Sequence, residues 1–441
     1  VLRALRAAAL LALALCLDGR AADAACAGCA RAGAARVALT IPDGTPLAGY
    51  GDLWRRALVP DILGRHPHAF WFRPSEGSRD PLAARALVVE GGGRRLTWLA
   101  VDLVAVDRAF TARVARALEA AGLSPGTLIV SASHTHSGPG AFMESGVMGF
   151  VAADRQDGRV RDALVSSLVE ATRRADAALV PARFGSASVP GPNIQRGRLG
   201  RPVDREIVVL RIAAESGAPI ATLWNYAIHG TTLPAVNLRF SGDVMGRASE
   251  ELERLTGAPA LFVNGAVADV SPSRHGQVES DAAGRELAAA ARKAWDAAGP
   301  AGPVTLAMAS TRVVLPPPFL SVRNCTASWM PRWLTAPLGA VLPAETELIA
   351  GRLGDVAWVT MPGELQSSLG QAVKRAAGSA FSRVLIAGLS NEYLGYFLTP
   401  ADYTRVTYVS CATLYGPDAG DLLARAAERL LRDLPPNGAR Q

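Results

Sequence analysis

Lysine is nearly missing from this chain. Only Lys293 and Lys374 stand among 46 basic residues, so the net charge of +7 rests on arginine. The arginines are scattered among acids and form no long run. That argues against nucleic-acid binding and leaves a weak attraction to anionic membrane surfaces. Past the first residues there is no apolar stretch of membrane-spanning length. Cysteine is sparse: of five, three lie within the first 29 residues and two, Cys325 and Cys411, far along the chain. Repeats, linkers and internal disordered stretches are lacking too, so nothing divides the 441 residues into modules. What is present is apolar. Hydrophobic residues make up 49 % of the chain, enough for a substantial core.

The start of the chain reads as an address. Arg3 and Arg6 precede the apolar run Ala7 to Leu17, and Asp18-Gly19-Arg20 leads to the small-residue exit Ala22-Asp23-Ala24. This is the layout of a secretory signal peptide, too short to span a bilayer. Residues 1–24 are read as that signal and 25–441 as an exported body, periplasmic or secreted. A lipoprotein anchor at Cys16, Cys26 or Cys29 is the weaker reading, since no leucine-small-small sequence precedes any of them. In an oxidising compartment Cys325 and Cys411 are expected to pair, which requires Cα atoms within about 7 Å.

Along the body, strand and helix patterns alternate. Ala84 to Glu90 and Leu96 to Val104 flank Gly91-Gly92-Gly93 as a hairpin, and Arg108 to Ala121 has helical periodicity. Thr127-Leu128-Ile129-Val130 is a β-branched strand run. Later strands are read at Glu206–Ile212, Ile220–Ile228, Ala258–Gly265, Val304–Leu315, Glu347–Leu353, Val356–Met361 and Arg383–Ala387. Helices are read at Gly158–Leu179, Met245–Leu255, Asp281–Ala297, Leu365–Ala377 and Asp418–Leu434. The expected fold is α/β: a single large domain on a mixed β-sheet flanked by helices, with its active site at strand C-terminal ends.

The chemistry gathers at those ends. Ser133-His134-Thr135-His136-Ser137-Gly138-Pro139-Gly140 follows the Thr127 strand, and residues two apart on a strand share a face, so both imidazoles are expected to project together. His229 follows the strand ending at Ile228, Asp269 and Ser271 follow Leu261-Phe262-Val263, Glu364 follows Met361, and Tyr393 and Tyr396 follow Ala387. In open α/β sheets ligands bind at that rim, where loops are free of core packing. Five strands delivering such side chains point to one site.

These residues resemble the neutral, non-lysosomal ceramidases. The blocks are the histidine stretch above, Asn193-Ile194-Gln195-Arg196, His229-Gly230-Thr231, Ser241-Gly242-Asp243 and Asp269-Val270-Ser271-Pro272. Pro362-Gly363-Glu364, Gly388-Leu389-Ser390-Asn391 with Tyr393 and Tyr396, and Thr413-Leu414-Tyr415-Gly416-Pro417 complete them, in order from Leu47 to Pro417. The resemblance implies a zinc-dependent amide hydrolase that cleaves ceramide to fatty acid and sphingosine. It implies one Zn²⁺ held by His134, His229, Glu364 and Tyr396. It further implies His136 and Arg196 acting on the substrate carbonyl, Tyr408 as an active-site tyrosine, and Ser271 as nucleophile or as an aid to the zinc-bound water. Asp243 is the candidate for orienting a ligand histidine, with helix capping as its other reading. The partner implied is a lipid substrate, at a membrane surface or free of one.

The sequence also departs from that family. No C-terminal immunoglobulin-like domain follows, so a short form is expected. The Tyr50 to Asp80 stretch, with Trp54, Phe70, Trp71 and Phe72, does not match. The substrate is therefore read as ceramide or a related N-acyl lipid. His66, His68 and His275 are read as solvated surface. Two other classes are weighed. A binuclear amidohydrolase barrel also begins with His-x-His but needs a bridging lysine, and neither lysine follows a suitable strand. A non-catalytic exported binding protein of the same fold would not need all four ligand positions.

Overall fold

In the computed structural model, residues 30–299 and 304–435 are described. The signal-peptide reading and Cys16, Cys26 and Cys29 lie outside them. The strands are β1 (Arg31–Ala38), β2 (Ala83–Gly91), β3 (Arg94–Val101), β4 (Thr127–Ala132), β5 (Val180–Pro190) and β6 (Gln195–Gly197). Then come β7 (Glu206–Ala214), β8 (Pro219–Tyr226), β9 (Ala260–Asn264), β10 (Val270–Pro272), β11 (Leu306–Val314) and β12 (Phe319–Ser321). The last are β13 (Thr335–Pro337), β14 (Glu345–Leu353), β15 (Val356–Thr360), β16 (Glu364–Leu365), β17 (Arg383–Ala387) and β18 (Tyr396–Phe397). Six longer helices are α1 (Arg108–Ala120), α2 (Gly158–Ala177), α3 (Asp243–Thr256), α4 (Gln277–Ala297), α5 (Ser367–Ala377) and α6 (Ala419–Arg432).

The α/β reading holds, with twelve of the eighteen strands among the described residues in two larger sheets and the rest in three two-stranded pairs. Eight form a mixed sheet in the order β4-β3-β2-β1-β5-β7-β8-β9, and four form a second in the order β11-β14-β15-β17. The sheets pack face to face. Leu87, Trp98, Phe184, Leu210 and Leu223 of the first share a buried cluster with Leu353, Val356, Trp358 and Leu385 of the second. The Trp98 and Trp358 rings lie 5.5 Å apart between them. Helices close both outer faces: α1 and α2 over β1 to β4, α3 and α4 over β5 to β9, and α5 and α6 over the second sheet. The strands β2, β3, β8, β9, β15 and β17 are thus buried on both faces over most of their length, which is why their runs read as apolar without alternation.

Local rules set the elements. Gly92 and Gly93, at φ 59° and 72°, turn the β2–β3 hairpin in the conformation that two-residue hairpins require. Asp107 caps α1 through Phe110 N–H at 2.8 Å, and its other oxygen accepts the Glu144 N–H at 2.7 Å, tying the helix start to the loop after the histidines. At the rim, paired asparagines stitch the two sheets. Asn225 Nδ2 donates to Val263 O at 2.8 Å and to Ile386 O at 3.0 Å. Asn391 accepts from Val130 N–H at 2.7 Å and donates to Leu128 O at 3.0 Å. The parallel pairs β3–β4, β8–β9 and β15–β17 all end toward this stitched rim. Cys325 and Cys411 form a disulfide with Cα atoms 4.6 Å apart.

Candidate metal centre and active site

His134 does not simply continue β4. The strand ends at Ala132, and His134 takes the left-handed φ of 71°, a strained conformation for a side chain-bearing residue. The segment then runs beside the end of β8: Gly230 N–H donates to His134 O at 3.2 Å, and His136 N–H to Gly230 O at 3.0 Å. A Cβ at Gly230 would stand 2.5 Å from His134 O, so only glycine lets the two strand ends approach this closely. The imidazoles meet as expected, with ring centroids of His134 and His136 at 4.9 Å and of His134 and His229 at 4.5 Å. The cause is this turn and loop pairing rather than strand alternation.

The oxygen donors come from the segments that follow β15 and β17 of the second sheet and pair as a two-stranded sheet of their own. β16 and β18 pair in parallel so that Glu364 stands beside Tyr396, with the Glu364 N–H on Gly395 O at 2.9 Å. Glu364 is wholly buried and lies between two rings, with Oε1 3.3 Å from His134 Nε2 and Oε2 3.1 Å from His229 Nε2. The Tyr396 hydroxyl is 3.4 Å from His229 Nε2. Tyr393 donates to Glu364 Oε1 at 2.8 Å and orients the carboxylate. Nδ1 of His134 is spent on Val104 O at 2.6 Å, which leaves Nε2 as the bare nitrogen facing the carboxylate.

This arrangement fits a cation. His134 Nε2, both nitrogens of His136, His229 Nδ1 and Glu364 Oε2 are buried without hydrogen-bond partners. Nitrogens of His134, His136 and His229 all lie within 4.8 Å of one another. Burial, with Arg198 adding to it, pushes His229 down to about 3, and burial with the neighbouring imidazoles holds His136 well below its usual range. Both rings are neutral, the form that ligates metal. Burial alone would raise the Glu364 carboxyl, but His134 and His229 outweigh it and keep it ionised. Tyr396 is pushed well above its ordinary value by burial and then by Glu364, with Arg198 opposing, so the phenol needs a nearby cation to lose its proton.

The remaining expected residues fall into two groups. Ser271 lies close by, its Oγ accepting from Arg198 Nε at 2.6 Å, and Arg198 Nη1 reaches the Tyr396 hydroxyl at 3.4 Å. Tyr408 is 69 % exposed at the cavity mouth, its ring 6.0 Å from that of Tyr396. Arg196 is not at the site. It is the outward residue of β6, exposed to solvent, and the inward arginine is Arg198, two residues on, past the end of that short strand. Asp243 touches no histidine. Its buried carboxylate accepts from Thr232 Oγ1, from Leu233 N–H at 3.0 Å and from Val244 N–H at 2.6 Å, so it braces the loop after His229. His68 is not free surface either: its Nδ1 meets Asp157 Oδ2 at 3.0 Å.

Two residues and one role went unread in the sequence. Besides Arg198 and the orienting role of Tyr393, the buried Arg55 donates to His136 O at 3.0 Å and to Ala235 O at 2.8 Å. Burial lowers it to about 10. It also sits 5.1 Å from the centroid of the Tyr50 ring, which meets His136 edge-on at 4.9 Å. Only the alternation of aromatic and arginine at Tyr50, Trp54, Arg55 and Arg56 signals it in the sequence. A Cβ at Gly49, whose φ is 108°, would stand 2.6 Å from the His136 ring. Above these groups lies a cavity of about 350 Å³, walled by Val104, Met148, Val151, Leu338 and Leu342.

Residues 72–301 match the family model of the neutral/alkaline non-lysosomal ceramidases, N-terminal part. The chain belongs to this family. The neutral ceramidase of Pseudomonas aeruginosa is 28 % identical over 214 residues, 43 % of this chain and 32 % of that protein. The neutral ceramidase of Oryza sativa subsp. japonica is 26 % identical over 193 residues, 39 % and 24 % of the two chains. The matched stretch thus spans about a third or less of these relatives' own length. The crystal structure of the P. aeruginosa neutral ceramidase has the same fold, with a TM-score of 0.76 at 20 % identity, covering 92 % of this chain and 74 % of that one. His134, Arg198, His229 and Ser271 lie within the family match, whereas Glu364 and Tyr396 lie beyond it. No helix among the described residues is long and apolar enough to cross a membrane.

Proposed function

We propose that the chain is a zinc-dependent hydrolase of the N-acyl amide of ceramide or a related N-acyl lipid, releasing a fatty acid and a sphingoid-type amine. The observation that carries this is a buried carboxylate held between two buried imidazoles, at the floor of a cavity with long apolar walls. Family membership supports the reaction class. His134, His229, Glu364 and Tyr396 would hold the zinc. His136 shares the imidazole cluster but makes no contact with Glu364, which favours a role toward substrate. Bound zinc supplies a Lewis acid that lowers the pKa of water and polarises an amide carbonyl.

The chain's own groups do the rest. His136 is neutral, nearly buried and free at both nitrogens, so it can take a proton from the attacking water and pass it to the leaving amine nitrogen. Arg198 takes the oxyanion role first expected of Arg196, because its charge is fixed, half-buried and joined to both Tyr396 and Ser271. Ser271 is held as an acceptor by that guanidinium, and no hydrogen bond joins it to a histidine among the described residues. This geometry favours Ser271 as the residue that positions Arg198, with water as nucleophile. The apolar walls exclude water and accept an alkyl chain. The Cys325–Cys411 bond supports an exported, oxidising setting.

The test is direct. Purified protein is expected to carry about one zinc per chain and to release fatty acid from N-acyl-sphingosine. His134→Ala, His229→Ala and Glu364→Gln are each expected to lose zinc and activity together, and Tyr396→Phe to lose part of both. A Tyr396→Phe protein with full zinc and full rate would remove the tyrosine from the ligand set, and zinc retained by Glu364→Gln would end the proposed site.

A further inference from the structure

The loop of residues 50–74 largely precedes the family match, which begins at residue 72. Its tips are unusual. Leu53, Trp54, Leu58, Val59, Ile62 and Leu63 are between 65 % and 105 % exposed. Scattered apolar residues are ordinary on a surface, but a cluster of six on one loop marks an interaction surface. The loop is also built to stay in place. Asp154 accepts the N–H groups of Phe70, Trp71 and Phe72 at 2.9, 2.9 and 3.1 Å. Arg55 roots the other side against His136 O at 3.0 Å. Buried polar groups thus hold large apolar side chains out in water.

The surface has a sign and a location. The tips wall a groove of about 1040 Å³ that Arg56, Arg65 and Arg73 also line. Among its lining residues the one acid is Asp61, whose carboxylate is engaged by the His66 N–H at 2.6 Å. Arg56 donates to Phe150 O at 2.6 Å, and the Trp71 and Phe150 rings meet at 5.5 Å. Phe150 and Val151 are themselves about half exposed, and Val151 lines the site cavity. Across that cavity, the chain segment leading to Leu338 and Leu342 exposes Trp329 and Trp333 at 80 % and 79 %.

We propose that this surface seats the mouth of the site on an anionic lipid bilayer. The inference rests on the lipid-amide reading of the site, and its test is separable from it. Apolar tips on separate loops, interleaved with arginines whose stems lie along apolar surface while their heads reach phosphate, suit a headgroup boundary. Exposed tryptophans suit the same depth. The apolar cavity opens beside these tips, so a chain leaving the bilayer passes from lipid to protein without crossing water.

The experiment uses the full chain and sedimentation with vesicles containing no hydrolysable amide, either phosphatidylcholine alone or mixed with phosphatidylglycerol. Native protein is expected to bind the anionic vesicles more tightly, with the difference shrinking as salt rises. The Leu58→Asp/Ile62→Asp double variant is expected to lose affinity by about tenfold or more per residue. Its melting temperature and its rate on a short-chain, water-soluble N-acyl amide are expected to stay native. Unchanged vesicle binding by the double variant overturns the proposal. So does a native dimer in sedimentation velocity that the double variant abolishes, since that assigns the face to a second copy. Vesicle binding by a chain that hydrolyses no N-acyl amide leaves the docking surface standing and removes the enzymatic reading.

Discussion

The two sheets bring unlike chemistry to one site. The large sheet delivers three imidazoles on strand ends that are hydrogen-bonded to each other, through Gly230 and the backbone of His134 and His136. Burial keeps His136 and His229 in the uncharged form, so crowding them in a dry pocket is cheap. The segments that continue β15 and β17 of the smaller sheet deliver a carboxylate and a phenol on a separate two-residue parallel pair. A wholly buried carboxylate is costly unless opposite partners meet it. The nitrogen half can therefore form within its own sheet, whereas the oxygen half is tolerable only against the other. The difference teaches that metal content reports on sheet packing as well as on ligand identity.

Breaking the sheet contact is the severest test of this contrast. Trp358→Ala leaves a void against Trp98 and is expected to cost about 3–5 kcal/mol, read as a fall in melting temperature, with zinc lost in step. Zinc retained at full affinity in that variant would mean the two halves are independent. Arg198→Ala is expected to lower turnover by on the order of 10²–10³ while zinc content holds, and Arg196→Ala to leave the rate near native. Equal losses from both would return Arg196 to the site. Tyr393→Phe removes the hydrogen bond that orients Glu364 and is expected to weaken zinc binding by about 10–100-fold, measured by competition with a chelator. Smallest of all, Asn391→Gly keeps the positive φ of 64° and deletes two side-chain bonds to β4. A loss of about 1–2 kcal/mol in denaturant unfolding, without change in turnover, is the expected outcome.

Much of this was legible in the residues. Apolar runs bounded by turn residues located most of the longer strands, because the central ones are buried on both faces and carry no competing pattern. The rule that ligands sit past strand ends gathered His134, His229, Glu364 and Tyr396, which the structure brings together. Strands β1 and β5 were passed over. Alanine-rich Arg31–Ala38 has weak strand propensity and owes its place to packing under α2, where a Cβ at Gly33 would stand 2.2 Å from Ala175 O. Arg196 is expected from the resemblance, but on β6, which stops at Gly197, it faces solvent, and nothing in the sequence pattern points to Arg198 just beyond. Arg55 was hidden because a buried arginine with only carbonyls as partners leaves no mark in charge pattern.

The disulfide has a consequence of another kind. Cys411 lies in the same short turn as Tyr408, and Cys325 lies just after Leu320; Leu320, Tyr408 and Cys411 all line the site cavity. The bond spans 86 residues of sequence, a closure that constrains the unfolded chain by about 4–5 kcal/mol in the chain-entropy account. None of the proposed metal ligands is attached to it. A mild reductant is therefore expected to loosen the roof over the substrate while the floor keeps its ion. Redox poise and metal supply are then expected to act on separate parts of one cavity.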